Sequence, residues 1–537
     1  MTTLHPRPPY SDAELAQLYP RQLHLQQVQI LLRHGERTPI NARFANAGLP
    51  AFWPYCSAVR RLRAAVLGPS GPGAESVSAA DGTFSEMRWR RRLETFDANA
   101  NDDAAVPASG PNGELDSLCD LGMLTDRGRE TTYALGTRLR KLYVDHLGFL
   151  PASIKDADFL YLRTTPIPRA LESMQQAFLG LYPPHTRAPD FPPLTIVSRS
   201  PADETLFPND SNCRRFAFLS RAFAQRAADR WNDSDDMAYV NRKLAKWMPA
   251  DSPRIAVDSR PRLIGIMDTV TSTMAHGPAT RLPKEFYDPK ARSIMETVAV
   301  EEWFAGYKES REYRALGIGS LLGDVVARMV STAERNVPAP DAEFVQTPGQ
   351  HGAIDGQKSK NNKNSGDDDA AGFRFGLSGC HDTTLAGILA SLGAFGNDAW
   401  PPFTSHIAIE LFRSNTTNNN NSSSSSDTTT KPSSSLIPSL WPSSKPTPIG
   451  RKPTPSLTPR EKESLQGYFV RLRYNDTPVV IPGCKTPGNH LDGEESFCTL
   501  AAFKAIVDKF TPRDWKTQCR TNVKAPAFPD KAEPAGY

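Results

Sequence analysis

The sequence VQILLRHGERTP, residues 28–39, joins an apolar run to a group of charged side chains. Four of the five residues at 28–32 are apolar, and a run of this length and composition is typical of a buried β-strand. The strand is expected to end at Arg33, so that His34 and Arg37 follow it directly. This stretch therefore predicts a strand whose carboxyl end carries cationic and titratable side chains.

Two later stretches share this design. The apolar run FLYL, residues 159–162, ends at Arg163, and the run GFRFGL, residues 372–377, leads to His381 and Asp382. Apolar positions at helical spacing follow both runs. Strand followed by helix, repeated along the chain, indicates an α/β fold with a mostly parallel central sheet flanked by helices.

In sheets of this kind ligands bind at the carboxyl ends of the strands, so the three polar clusters are expected to converge. Arginine offers planar pairs of donors that match phosphate oxygens, and it keeps its charge at any working pH. A cluster of arginines and histidines therefore indicates a site for a dianionic oxyanion such as phosphate. The side chains expected at this site are Arg33, His34, Arg37, Arg163 and His381.

His34 and Asp382 are predicted to carry the chemistry. Surrounding cations are expected to depress the pKa of His34 and keep its imidazole neutral, which leaves a lone pair for attack on phosphorus. Asp382 is the carboxylate adjacent to His381, so it is the candidate to protonate a leaving alkoxide and then to deprotonate water. The sequence around these residues has no metal-ligand spacing, and neither a metal nor a cofactor is expected.

The composition of the 537 residues limits the classes of partner. Lysine and arginine number 63 against 59 acidic residues, which leaves a net charge of +4. So small a charge gives no reason to expect nucleic acid or an anionic membrane as the main partner. No apolar run approaches the ~18 residues that span a bilayer, and residues 1–25 lack the features of a signal or transit peptide. These observations predict an intracellular, cytoplasmic protein without a membrane span.

The cysteines and one basic run have alternative interpretations. Seven cysteines are few for this length, and without an export signal mostly reduced thiols are expected, although Cys484 and Cys498 are placed to pair across a loop. Cys380 is interpreted as a small core residue. The run WRRR, residues 89–92, is interpreted as a solvated surface, with a substrate-approach surface as the alternative.

Two segments lack the apolar residues that would offset the entropy of ordering them. The first spans 341–372 and includes KSKNNKNSGDDD, and the second spans 414–462 and includes NTTNNNNSSSSSDTTT. Both are predicted to be disordered. The second lies between the alternating runs HIAIELF, 406–412, and YFVRLRY, 468–474, and is therefore interpreted as an enlarged hairpin loop.

The motif RHGERTP, residues 33–39, resembles the RHGxRxP signature of the histidine acid phosphatases. Five fixed positions arise by chance in a chain of this length only about once in several thousand. The segments YLRTTPIPRALES, 161–173, and SGCHDTT, 378–384, are similar to the family's segment with the third phosphate arginine and to its late His-Asp motif. Three shorter segments look most like the lysophosphatidic acid phosphatase (type 6) branch, namely LFPN at 206–209, WPPF at 400–403 and PGC at 482–484.

The resemblance implies a phosphoglycerate-mutase-like α/β domain with an inserted, mostly helical cap. In this chain the α/β domain is expected at 20–183, 373–413 and 463–537, and the cap at 184–336. The resemblance also implies that His34 is the nucleophile. It further implies that the proton donor is Asp382 and that the phosphate ligands are Arg33, Arg37, Arg163 and His381.

Two positions depart from the family's pattern. Glu36 places a carboxylate inside the motif, and Thr164-Thr165-Pro166 replaces the commoner Ser-Thr-Asp or Ser-Thr-Asn. Both are expected at the rim of the site, where they bear on substrate preference. Exported relatives join the cysteines that match Cys484 and Cys498 in a disulfide, whereas in an intracellular chain the pair is expected to stay reduced. Analogy with the type 6 branch offers a mitochondrial location as the alternative to the cytoplasm.

The predicted function is metal-independent hydrolysis of phosphomonoesters by an acid phosphatase that forms a phosphohistidine. Lysophosphatidic acid or a similar small phosphomonoester is the expected substrate. One alternative is a phosphotransferase or mutase of the same superfamily, which would be expected to place its acid elsewhere than in the pair His381–Asp382. The other is an inactive module that binds phosphate or a lipid head group, which would be expected to have lost His34 or Asp382.

Overall fold

The computed structural model describes residues 3–67, 84–96, 104–335, 373–396, 398–415 and 447–537. The segment 341–372, predicted to be disordered, lies outside these residues. The strands are β1 (Leu23–Arg33), β2 (Leu62–Leu67), β3 (Phe84–Trp89), β4 (Glu94–Phe96), β5 (Ala105–Pro107), β6 (Leu160–Thr164), β7 (Ile196–Val197), β8 (Phe375–Cys380), β9 (His406–Ser414), β10 (Tyr468–Tyr474), β11 (Thr477–Val479), β12 (His490–Leu491) and β13 (Glu494–Thr499).

Helices connect and cover these strands. They are α1 (Asp12–Leu18), α2 (Asp126–Arg140), α3 (Pro168–Leu181), α4 (Arg214–Trp231), α5 (Asp235–Leu244), α6 (Leu263–Met274), α7 (Pro289–Glu309), α8 (Arg311–Arg314), α9 (Ser320–Arg335), α10 (Asp382–Ser391), α11 (Pro459–Glu463), α12 (Leu500–Asp508) and α13 (Trp515–Gln518). π-helical turns extend α2 over Lys141–His146 and join α8 to α9 over Ala315–Gly319.

One central sheet has the strand order β12-β13-β10-β9-β1-β8-β6-β7, with β11 paired to β10. The strands β1, β8, β6 and β7 run parallel, whereas β9, β10, β13 and β12 extend the sheet on the other side of β1 in antiparallel pairs. The predicted α/β class with a central sheet flanked by helices is confirmed. The parallel half is the part that carries the polar clusters.

The register of the parallel strands brings their carboxyl ends to one edge. Arg33 lies opposite Cys380, and Thr164 lies opposite Gly379. Each of these strands is therefore followed at the same edge by the residues that the sequence marked as polar clusters. Gly379 permits the start of α3 to approach, because a Cβ there would lie 2.5 Å from the carbonyl oxygen of Ala170.

Two apolar layers cover the two faces of the sheet. Because side chains alternate along a strand, Ile30 and Leu32 of β1 pack against α2 and α3 on one face, whereas Leu31 faces the opposite layer. That second layer contains buried side chains of α7, α9, α10 and α12. The buried strand predicted at residues 28–32 therefore lies at the centre of the core.

A third apolar cluster forms the cap, and two separate parts of the chain build it. Phe44 and Trp53 pack with buried side chains of α5, α6 and α7. The expected cap range, 184–336, differs from this in two ways. It includes β7, which pairs with β6 in the central sheet, and it includes α9, which packs on the sheet. The sequence pattern did not reveal either, because a two-residue strand and a helix buried on a sheet leave no distinct local signal.

Helix α9 is fixed to β1 by polar as well as apolar contacts. The Gln29 side-chain amide donates to the carbonyl of Val325 at 3.2 Å. Residues 311–335 form a run long and apolar enough to cross a membrane, but 72% of its most apolar window is buried inside the protein. The apolar character of this run is explained by its packing on the sheet.

The predicted disorder of 414–462 is wrong for residues 447–462. Gly450 packs against Ala327 of α9, Arg451 forms an ion pair with Asp324, and the hydroxyl of Thr454 donates to Asp508 at 2.6 Å. The few apolar and charged residues of this stretch are enough to dock it, although its average composition is polar. Residues 416–446 lie outside the described part, and β9 and β10 pair antiparallel as the hairpin interpretation expects.

Six of the seven cysteines form disulfides, in contrast to the reduced thiols that were expected. The pairs are Cys56–Cys119, Cys213–Cys519 and Cys484–Cys498. Cys380 is free and buried, as expected for a core residue. Disulfides persist in oxidising compartments and are rare in the cytosol, so these pairs do not support the predicted cytoplasmic location.

Candidate active site

Strand β1 delivers His34 to the edge where the parallel strands end. The backbone N–H of His34 donates to the carbonyl of Cys380 at 3.1 Å, which ties the two strand ends together. Its Nδ1 lies 2.9 Å from the carbonyl oxygen of Gly35. Because a carbonyl only accepts, Nδ1 carries the proton and Nε2 keeps its lone pair. The contact therefore fixes both the tautomer and the orientation of the ring.

Gly35 allows helix α2 to approach the loop that follows β1. A Cβ at Gly35 would lie 2.3 Å from the carbonyl oxygen of Gly128, and a Cβ at Gly128 would lie 2.3 Å from that of Glu36. The N–H of Gly35 donates to the buried hydroxyl of Ser173 at 3.0 Å. Helices α2 and α3 thus hold the loop from two sides, and neither glycine position has room for a side chain.

The surroundings of His34 favour the neutral form of its imidazole. Burial is the largest cause that holds its pKa well below the ordinary value, and the charges of Arg169, Arg33 and Arg37 add to it. The side chain is 2% exposed. The sequence predicted a lowered pKa of His34 from the neighbouring cations. Burial, which lowers this pKa more, follows only from the fold.

Three guanidinium groups surround His34. Arg33 lies over the ring of Phe403 at 4.2 Å, and Arg37 lies 5.7 Å from the same ring. The Nε atoms of Arg33, Arg37 and Arg169 are buried and have no hydrogen-bond partner in the described part of the chain. Burial and the neighbouring charge of Arg37 lower the pKa of Arg169 to about 10, so that it remains protonated. Unsatisfied arginine donors of this kind suit an oxyanion.

Arg163 is not part of this cluster, and its prediction as a phosphate ligand is wrong. Its Nη2 donates to Oε1 of the buried Glu204 at 2.7 Å and to the hydroxyl of Thr205 at 3.0 Å. Arg163 lies within β6 and does not line the active-site cavity, whereas Arg169, in the first turn of α3, does. Arg169 therefore takes the place that the sequence had assigned to Arg163.

His381 and Asp382 mark the junction of β8 and α10. Nε2 of His381 lies 3.1 Å from the hydroxyl of Thr165, and its ring centroid is 5.5 Å from that of His34. Burial and, next, the charge of Arg169 lower the pKa of His381 to about 3. Both imidazoles of the site are thus neutral.

The carboxylate of Asp382 is held by three donors. Its Oδ2 lies 2.7 Å from Nη2 of Arg33 and accepts from Nε1 of Trp400 at 3.0 Å, and its Oδ1 accepts from the N–H of Thr383 at 2.8 Å. These contacts orient the carboxylate toward the arginine cluster. Asp382 is therefore fixed beside the guanidinium group that borders His34.

The Glu36 departure from the family's pattern does not lie at the rim of the site. The Glu36 carboxylate is fully buried and accepts from the hydroxyls of Thr3 and Thr131. The expectation that Glu36 lies at the rim is therefore wrong. In the second departure, Thr164-Thr165-Pro166, Thr164 is buried and Pro166 is exposed.

A cavity of about 370 Å³ opens above the cluster. The side chains of the phosphate site form its polar floor, together with Asp268 and Arg43 of the cap side. Its wall is largely apolar and includes Ile40, Ile167, Phe207, Ile264, Met267 and Trp303. The cavity thus has a cationic end and an apolar space beside it.

The sequence model of the histidine phosphatase superfamily (branch 2) matches residues 24–429. This match covers most of the chain. The chain belongs to this superfamily. A probable acid phosphatase of Schizosaccharomyces pombe is 33% identical over 506 residues, which cover 94% of this chain and 95% of the relative. The protein is thus an acid phosphatase, a hydrolase of phosphomonoesters.

Two further similarities are more distant. Human lysophosphatidic acid phosphatase type 6 is 26% identical over 296 residues, which cover 54% of this chain and 57% of the relative. A solved phytase of Hafnia alvei, in complex with tartrate, is 13% identical and superposes with a TM-score of 0.48, covering 93% of this chain and 99% of the phytase.

The sequence missed two residues of the phosphatase site. Arg169 lies in the segment 161–173, and its position at a helix start after a strand was the signal that it reaches the edge. Asp268 of α6 had no such signal. Its Oδ1 accepts from Nη2 of Arg37 at 2.7 Å, and its Oδ2 lies 3.9 Å from Nη1 of Arg43. Because it comes from the cap, only the tertiary fold places it there.

Proposed function

We propose that this acid phosphatase transfers the phosphoryl group of its substrate to His34, and that lysophosphatidic acid or a similar alkyl phosphomonoester is the substrate. The arrangement around His34 carries the proposed reaction. Its imidazole is neutral, its Nε2 has no partner among the described residues, and three guanidinium groups surround it. Asp382, ion-paired to Arg33 beside His34, is the group that exchanges a proton with the substrate and with water.

In the first step Nε2 of His34 attacks phosphorus, and the bond from phosphorus to the ester oxygen breaks. Arg33, Arg37 and Arg169 stabilise the charge on the oxygens of the transferring group. The departing oxygen takes the proton of Asp382. The alcohol leaves, and the phosphoryl group stays on His34.

In the second step water attacks the phosphorus of the phosphohistidine. The bond from nitrogen to phosphorus breaks and returns the lone pair to Nε2 of His34. The carboxylate of Asp382 accepts a proton from the attacking water. Inorganic phosphate leaves with that proton, so that Nε2 of His34 is free and Asp382 is again a carboxylate.

Two observations support an alkyl phosphomonoester as substrate. The cavity wall next to the arginines is largely apolar, which favours a leaving group with hydrocarbon. The type 6 relatives are named for lysophosphatidic acid. Glycerol 3-phosphate carries the same phosphate without the acyl chain, so it separates the two contributions.

Rapid-quench labelling tests the reaction. With ³²P-labelled substrate, the wild type should yield a phosphoprotein that is labile to acid and stable to base, and the label should map to His34. His34→Ala should yield none and should lose more than about 99% of its activity. His146→Ala replaces an exposed histidine and should behave as wild type. Label on another residue would remove His34 from the proposed role.

A substrate comparison tests the specificity. The wild type should have a higher kcat/KM for lysophosphatidic acid than for glycerol 3-phosphate or phytate. Met267→Ser, in the cavity wall, should lower kcat/KM for lysophosphatidic acid about tenfold and that for glycerol 3-phosphate less than about twofold. Equal losses for both substrates would show that the wall does not bind the chain.

A further inference from the structure

Strands β2 and β3 form a hairpin that stands apart from the central sheet, and the run WRRR belongs to its end. The two strands pair only with each other in the described part of the chain. Every side chain of both strands is exposed except Val66, which is half-buried. We call residues 62–67 and 84–92 the arginine hairpin.

One face of the arginine hairpin is apolar. The directly opposed pairs Leu62–Trp89 and Ala64–Met87 lie on the same face, because side chains alternate along each strand. Leu62 and Trp89 are each 45% exposed, and Met87 is 47% exposed. Large apolar side chains exposed side by side on a hairpin are typical of a binding surface.

The far end of the hairpin is also apolar. Leu67 lies opposite Phe84, and these side chains are 46% and 56% exposed. This pair lies on the same face as the pair Arg63–Arg88 and the carboxylate of Glu86, because side chains alternate along each strand. The hairpin therefore has one apolar face and a second face that combines charged side chains with this apolar pair.

Positive charge concentrates around this apolar surface. Residues 57–67 and 84–96 contain seven arginines and two glutamates. Some of the arginines are paired at the surface, as Arg92 is with Asp116 at 3.0 Å. Arg61 and Arg88 have no hydrogen bond or ion pair within the described ranges. The net charge of the whole chain is small, so this local excess belongs to the arginine hairpin, with five arginines and one glutamate, and to the residues that flank it.

The hairpin is anchored beside the mouth of the active-site cavity. The disulfide Cys56–Cys119 joins the chain before β2 to the loop that precedes α2. Arg91 contacts the sulfur of Met123 in this loop, and the N–H of Gly122 donates to the carbonyl of Pro39 at 2.9 Å. Ile40, next in the chain, lines the cavity and is 47% exposed.

We infer that the arginine hairpin docks the phosphatase on an anionic lipid surface. Tryptophan, phenylalanine, leucine and methionine side chains partition into the headgroup boundary, and arginines attract anionic headgroups. The combination of an exposed apolar face with arginines that have no partner among the described residues fits such a surface better than a protein partner with an apolar groove. Binding through the hairpin needs no turnover, so it goes beyond the proposed function.

Vesicle co-sedimentation tests the docking. The full chain is mixed with phosphatidylcholine vesicles that contain about one-third phosphatidylserine, or with pure phosphatidylcholine vesicles. The wild type should bind the anionic vesicles at least about tenfold more tightly, and salt should weaken the binding. Met87→Ser combined with Trp89→Ser should lose about tenfold or more, and Arg61→Glu combined with Arg88→Glu should do the same.

The matched control is Tyr133→Ser, which removes an exposed aromatic side chain of α2. It should bind the vesicles as the wild type does. No binding to anionic vesicles, or equal binding to both kinds, would overturn the inference. A monomer–dimer equilibrium that Met87→Ser and Trp89→Ser abolish, without vesicle binding, would assign the face to a second copy instead. A fall of several degrees in Tm of that variant would show that the face packs inside the protein, which also overturns it.

Discussion

Oδ2 of Asp382 lies 2.7 Å from Nη2 of Arg33, so the candidate proton donor is ion-paired to an arginine of the active-site cavity. Burial alone would raise the pKa of Asp382, but the charge of Arg33 and the hydrogen bond from Trp400 outweigh it and hold the pKa below its ordinary value. Asp382 is therefore a carboxylate in the free enzyme.

In the proposed reaction the proton arrives with the substrate. A phosphomonoester has its second pKa near 6, so its monoanion is abundant at acid pH. When the phosphate engages Arg33, the arginine shares its charge with the phosphate oxygens, and Asp382 becomes basic enough to take the proton. The pairing thus favours protonation of Asp382 only with substrate present.

Asp382→Asn should separate substrates by their leaving groups. Alkoxides need a proton to depart, whereas p-nitrophenolate leaves nearly unaided, so the phosphorylation burst should slow by about 10²–10⁴ for an alkyl phosphate and far less for p-nitrophenyl phosphate. Burst kinetics is the measurement, because the second step also uses this carboxylate. An equal slowing of both bursts would mean that Asp382 does not protonate the leaving group.

Arg169→Gln and Arg163→Gln should fail in different ways. Arg169→Gln removes a donor from the cavity and should lower kcat/KM by about 10²–10³ at an unchanged Tm. Arg163→Gln leaves the buried Glu204 without its ion-pair partner, which should cost about 3–5 kcal/mol of the free energy of unfolding.

The double variant Arg163→Gln with Glu204→Gln supplies the control for this pair. It removes both charges, so it should recover part of the stability that Arg163→Gln loses. Urea unfolding and steady-state kinetics on the four proteins check the prediction. A normal Tm together with loss of phosphate binding in Arg163→Gln would show that Arg163 binds phosphate, which contradicts the prediction.

Glu302→Gln should change how stability depends on pH. Burial, opposed by the charge of Arg262, raises the pKa of Glu302 to about 7, against about 4.3 in an unfolded chain. The folded state holds the proton more tightly, so this group stabilises the fold fully below pH ~4, and its contribution disappears as pH rises through 7.

From pH 5 to pH 8 the free energy of unfolding of the wild type should therefore fall by about 2–3 kcal/mol more than that of Glu302→Gln. Urea unfolding at both pH values is the measurement. Glu130→Gln, at an exposed position of α2, should follow the wild type. Identical pH dependence in wild type and Glu302→Gln would contradict the prediction.

The two parts of the 414–462 segment should respond differently to mutation. Gly450→Val should lower the free energy of unfolding by about 1–3 kcal/mol, because a Cβ at Gly450 would lie 2.7 Å from Cα of Ala327. Replacement of residues 416–446 by a short glycine-serine linker should leave Tm and activity unchanged, since their composition supports no core. Differential scanning calorimetry of both variants measures the change in Tm. A large fall in Tm on replacing 416–446 would show that these residues pack against the rest of the protein.

The denatured protein should expose one thiol before reduction and seven after it. The three disulfides account for six cysteines, and Cys380 is the seventh. Thiol titration in guanidinium chloride, with and without prior reduction, gives the count. Reduction should also lower Tm, because loss of a native disulfide typically costs about 2–5 kcal/mol. Seven reactive thiols without reductant would support the reduced state that the sequence suggested.

Local pattern was sufficient to identify much of this phosphatase. Residues 28–39 predicted the central strand, its carboxyl edge and His34, because an apolar strand and a contiguous motif are both readable along the chain. His381 and Asp382 followed in the same way, since they succeed one another at a strand end. Parallel strands must end at one edge, so the convergence of these groups was predictable without coordinates.

The tertiary structure decided whatever depends on contacts between distant segments. Sequence alone could not exclude Arg163, because its ion pair with Glu204 depends on contact between segments 41 residues apart. Nor could it place Asp268 beside Arg37, since the cap brings it there from 231 residues away.

The pairing of the cysteines and the docking of 447–462 have the same origin. Cys213 and Cys519 lie 306 residues apart. Gly450 packs against Ala327 of α9, and the polar residues around Gly450 in the sequence do not predict this contact. A sequence pattern records which face of a strand or helix is apolar, and it carries no information on which remote surface will meet that face. Contacts between segments this far apart form only in the folded chain, so the sequence pattern could not predict them.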